Sequence, residues 1–163
     1  MRNFKVYEPS DKLIGIIGDN YNVLQMLGGF GISLGFRDKT VEEVCRDNNV
    51  DCGTFLALVN FTANGVMPSG DTLSAMSVPT LMRYLKASHK YYLDFQLPYI
   101  RRALEESVDP MDKLGLLILK CYDDYAREIQ LHMHYEEAVL FPYVDGLLAG
   151  VRKADYDIDE FEH

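Results

Sequence analysis

The chain has 163 residues, 48% hydrophobic and 25% charged, which suits one compact soluble domain, or one plus a small appendage, with a real core. Lys+Arg 16 against Asp+Glu 25 leaves a net charge of −9, poor for holding phosphate backbones, so nucleic acid and anionic membrane are excluded as main partners. No apolar run approaches the roughly 18 residues of a membrane span, and MRNFKVYEPSDK lacks a signal-peptide core, so a cytoplasmic protein is expected.

Residues 1–10 read as an extended arm. Asp11 is placed to cap a short helix carrying Leu13, Ile14, Ile16 and Ile17. Asp19 or Asn20 caps the next, with Val23, Leu24 and Leu27 on its buried side and Gly28-Gly29 as its stop. Gly28 to Lys39 is glycine-rich and reads as a loop; no Gly-Lys-Ser/Thr follows, so it is not a phosphate loop. Thr40 with Glu43 forms a capping box for a helix that buries Val41, Val44 and Cys45. Asp51 caps another, with Phe55, Leu56, Val59 and Phe61 at helical spacing. Its segment CGTFLALVNF has no Lys or Arg, which argues against DNA reading by a helix-turn-helix. Cys45, Cys52 and Cys121 are widely spaced without a Cys-x-x-Cys, so reduced thiols serving as small apolar side chains are expected.

Residues 63–76 are rich in Gly and Ser and read as a linker between a small helical domain, 1–62, and a second domain, 77–163. Ser77 caps a long helix from Val78 to about Ser107, with Leu81, Leu85, Tyr92, Phe95, Tyr99 and Ile100 inward and a bend at Pro98. Asp109-Pro110 with Asp112 starts a second long helix carrying Leu114, Leu117, Ile118, Cys121, Tyr125, Ile129 and Met133. The short join predicts an antiparallel helical hairpin, and the fold class is all-α. Pro142 is expected to end or kink the second helix, with apolar spacing resuming through Leu148. The terminal ADYDIDEFEH resembles the first turn of a third helix that is never completed. A two-helix hairpin buries one side of each helix, so a homodimer that completes a four-helix bundle is expected.

The chemistry concentrates in LHMHYEEAVLFP, Leu131 to Pro142. His132 and Glu136 are one helical turn apart on one face, a spacing that serves a surface ion pair or two ligands of a metal ion. His134 and Glu137 point away from that face.

Together, SHKYYLDFQLP and HMHYEEAVLFP resemble the hemerythrin-like (HHE cation-binding) family, and more closely its iron–sulfur cluster repair branch. The resemblance implies metal ligands at His89, His132 and Glu136, with His163 where a third-helix ligand would fall. It implies a non-haem di-iron cofactor and half of a hemerythrin-like four-helix bundle, with the second half of the motif absent from this chain. Residues 1–62, through Phe30-Gly31-Ile32 and Thr40 to Cys45, resemble the small domain that precedes that bundle. Its adjacent cysteine pair is missing, because Ser33-Leu34 stands there. Glu105, Glu106, Asp109 and Asp112 occupy the loop where the repair proteins tend to have a further His. The function implied is iron binding in the repair of damaged iron–sulfur clusters, with iron–sulfur proteins as partners, or in an oxygen or nitric oxide response. Two other readings stand beside it: a sensory module, and a metal-free helical interaction module.

Overall fold

The structure is a computed structural model that describes residues 5–65, 67–109 and 111–151. Among these the chain is all-α, the one strand-like feature being an isolated bridge between Lys12 and Thr40. It divides into two units, Met1–Lys90 and Tyr91–His163.

The first unit contains α1 (Leu13–Asp19), α2 (Asn22–Gly29), α3 (Val41–Asp47), α4 (Cys52–Asn64), α5 (Gly70–Ala75) and most of α6 (Val78–Tyr91). The capping box of α3 is complete: Glu43 N–H donates to the Thr40 hydroxyl and Thr40 N–H to the Glu43 carboxylate at 2.9 Å. Asp51 caps α4, accepting from Thr54 N–H at 2.7 Å and from the Thr54 hydroxyl at 2.6 Å. Ser77 accepts from Thr80 N–H at the start of α6. Asp11 does not cap α1; its carboxylate takes Glu8 N–H and closes the preceding turn. The segment 63–76 holds the short helix α5, capped by Ser69.

The core of this unit packs Leu13, Ile16, Val23, Leu27, Val41 and Phe55, all essentially without solvent contact. Phe61 lies outside it, at the surface. Tyr7 from the N-terminal arm enters it, held by Asn60, which accepts from Tyr7 N–H at 2.8 Å and donates to its carbonyl at 3.1 Å. The loop after α2 contributes Phe30 and Ile32, and Phe30 meets the rings of Phe55 and Tyr84 at 5.0 and 4.5 Å between centroids. Gly29 is where Tyr84 comes closest, within 2.7 Å of the point a Cβ would occupy.

In the second unit, α7 (Leu97–Ser107) and α8 (Lys113–Tyr135) pack on each other, and α9 (Phe141–Leu148) follows. Arg101 on α7 grips Asp123 on α8, and the Tyr122 hydroxyl donates to the Leu97 carbonyl at 2.7 Å. Gly115 lies against Val108, with no room for a methyl group. Asp112 caps α8 through Leu114 N–H. Two π-helical turns interrupt the α-geometry, Tyr92–Gln96 before α7 and Glu136–Leu140 before α9. Each ends immediately before a residue followed by proline, and the same pattern flanks both: Tyr91 and Leu97-Pro98-Tyr99, Tyr135 and Phe141-Pro142-Tyr143. Proline has no N–H and its ring clashes with the carbonyl four residues earlier. Widening the turn ahead of it lets Leu97 N–H bond to Tyr92 O and Phe141 N–H to Glu136 O instead. Pro142 therefore does not end the helix, because helical geometry resumes through α9.

The faces expected to point inward lie largely in solvent. Tyr92, Phe95 and Tyr99 are exposed, and so are Leu114, Leu117, Ile118 and Tyr125. Among the described residues of this unit, Leu97, Gly115 and Phe141 are the buried ones.

Candidate functional site

His132 occupies the last turn of α8, and Glu136 opens the π turn that follows. Four-residue spacing stacks them, and His132 Nε2 lies 3.2 Å from Glu136 Oε1. The His132 side chain is 66% exposed and that of Glu136 23%, so the ring is largely open to solvent while the acid is partly shielded. The pair can act as a hydrogen-bonded ion pair or present one nitrogen and one oxygen donor to the same cation. His134 is exposed, as its spacing predicts.

His89 sits on α6 in the first unit and is 5% exposed. His163 lies outside the described residues. Among those described, no group of three or more His, Cys, Asp or Glu side chains is clustered as a metal would require. Among the described residues, His132 and Glu136 are the candidate ligands that lie side by side within one unit. The carboxylates that could replace a loop histidine are largely committed elsewhere. Glu105 pairs with Arg101 at 2.8 Å, Asp109 accepts from Met111 N–H at 2.8 Å, and Asp112 caps α8.

Two features escaped the sequence reading. Cys45 and Cys52 are neighbours: α3 ends at Asn48, Asn49 adopts a positive φ of 54°, and Val50 N–H returns to the Cys45 carbonyl at 2.9 Å. This helix-ending turn brings the start of α4 back over Cys45, so that the two thiols influence each other. Burial pushes both thiols above the ordinary cysteine range, so neither is an activated nucleophile. A positive-φ asparagine between two helices was the available signal.

The second feature is an open groove of about 450 Å³ along the π turn at Tyr92–Gln96, lined by Tyr91, Phe95, Pro98, Tyr99, Asp94 and Arg102. The Tyr91 and Phe95 rings stack at 6.2 Å, and the Tyr91 hydroxyl bonds to Gln96 at 3.2 Å. The repeated Leu/Phe-Pro-Tyr punctuation could have located it. Among the described residues no helix is long and apolar enough to cross a membrane. Compared with family models, curated proteins and solved structures, the chain matches none.

Proposed function

We propose that this chain is a hemerythrin-like non-haem iron-binding protein acting in the repair of damaged iron–sulfur clusters or in an oxygen or nitric oxide response. The observation that carries the reading is the His132–Glu136 pair, 3.2 Å apart on a helix end widened by a π turn. Nitrogen and carboxylate oxygen together suit iron, and π turns concentrate at functional positions. In this reading α7 and α8 form half of a four-helix bundle. His132 and Glu136 supply two ligands per chain, His89 and His163 are the further candidates, and a second copy completes the set. Iron, when bound, supplies affinity for dioxygen or nitric oxide and a store of metal for damaged clusters.

The missing third donor among the described residues favours a second reading, a metal-free helical interaction module in which the pair is an ordinary surface ion pair. Elemental analysis of protein reconstituted with ferrous iron and then desalted separates the two. The iron reading expects stoichiometric retention that falls at least about tenfold in both His132→Ala and Glu136→Ala, with unchanged far-UV circular dichroism. Retention that is absent from the wild-type chain, or equal in all three proteins, sinks it.

A further inference from the structure

On α8, Leu114, Ile118, Cys121, Tyr125, Glu128 and His132 follow one another at alternating spacings of four and three residues, and all are exposed. That is the heptad spacing of a coiled-coil seam. The face that meets α7 and the connection after it is the adjacent one, through Tyr122 and Gly115 respectively. Leu117 and Leu131 widen the seam on its other flank, at 54% and 63% exposed. With the roughly half-exposed Leu114, Ile118 and Tyr125, these side chains offer on the order of 600 Å² per copy, close to the roughly 800 Å² a side of a standard interface. From Leu114 to His132 on this 23-residue helix the strip is about 27 Å long. A regular seam of that length is complementary to another helix of the same period, and α8 itself has that period.

We infer that the α8 seam is covered by α8 of a second copy of this chain, with the π turn after that helix over the Leu114 end, antiparallel about a two-fold axis. The polar positions choose the direction. A parallel pair would set Glu128 against Glu128 in one layer, like charge on like, and align the helix dipoles. Of the antiparallel registers that keep the acid off the aliphatic layers, the one with the longest overlap of the two α8 helices sets Tyr125 against Glu128 of the partner subunit, phenol to carboxylate, and Ile118 against Tyr135 of the partner subunit. It also sets Cys121 against His132 of the partner subunit. This names the partner in the proposed function and shares His132 with it, but it does not need the metal.

The test uses the full-length chain. Sedimentation equilibrium without metal is expected to give twice the one-chain mass at micromolar concentration. Ile118→Glu is expected to raise the dissociation constant at least about 100-fold. Leu116→Glu adds the same charge to the same helix at an exposed position off the seam, and should leave it unchanged. Oxidation of His132→Cys with copper phenanthroline is expected to give a covalent dimer through native Cys121. Within one chain these positions are roughly 16 Å apart along the helix and cannot bridge. A one-chain mass in the wild type, equal effects of the two glutamates, or a Cys121–Cys121 disulfide in the wild type would each overturn the assignment. A dimer that retains no iron on reconstitution leaves the seam standing and the iron reading failed; an iron-binding monomer does the reverse.

Discussion

Thr40 holds both bonds of its capping box next to the Lys12 bridge, where α1 and α3 are joined by Leu13 N–H to Lys39 O and Val41 N–H to Asp11 O. Thr40→Ala removes the hydroxyl that satisfies Glu43 N–H and is expected to cost about 1 kcal/mol, read as a lower urea midpoint at unchanged slope. The thiols give a second measurement at this scale. Cys45 and Cys52 are held above the ordinary range, chiefly by burial, so at about pH 7.5 little of either is thiolate. In Ile118→Glu, where the seam is open, iodoacetamide should reach exposed Cys121 first and buried Cys45 last, as peptide mass spectrometry would resolve. Equal labelling of the three would contradict the burial of Cys45.

Gly115 decides how closely the connection after α7 lies on α8. A Cβ there would overlap the Val108 side chain and sit 3.4 Å from the Asp109 carbonyl. Alanine is the better helix former by about 1 kcal/mol, but the overlap outweighs it, so Gly115→Ala should be net destabilising by about 1–2 kcal/mol. Val108→Ala in the same chain should recover most of that loss, a coupling that a double-mutant thermal cycle would detect. Elements of this kind were readable where chemistry is local. Thr40, Asp51 and Asp112 announced their helices because a cap needs one side chain and the next three backbone N–H groups. Tyr7 and Phe30 were not readable as core, since they reach it from irregular segments where hydrophobic spacing has no period to report. Tyr99 was misplaced for a different reason. A π turn inserts one residue and resets the phase, so a stripe counted through Tyr92–Gln96 lands on the wrong side beyond it. His132 and Glu136 were found because both fall within reach of one helical turn, which spacing alone specifies. His89 could not be joined to them that way, because the distance between separate elements is not written in any local spacing.

Between α4 and α5 the chain passes Gly65, with φ 67°, and then Pro68 before Ser69 restarts the helix. Non-helical backbone is what a protease can fit, whereas Val78 to Ser107 is helical residue after residue. Limited proteolysis should therefore cut first within residues 63–76, and mass spectrometry finding the first cut between Val78 and Ser107 would contradict it. The two units carry unequal burdens of apolar surface. The first has a closed core of its own, while the second leaves most of its large side chains in water. Its stability should depend on chain concentration as the first unit's does not, which the seam experiment also reads.

The paired prolines carry a consequence for how the helices can fail. A π turn is a dislocation in a one-dimensional lattice of hydrogen bonds, and a dislocation can glide unless something pins it. Pro98 and Pro142 are the pins, because neither can supply the N–H that would let the defect move past. With Pro142→Ala the extra residue is free to migrate toward Gly150 and leave the helix, and every side chain it passes turns by about 100°. Phe141, which is buried, lies directly in that path.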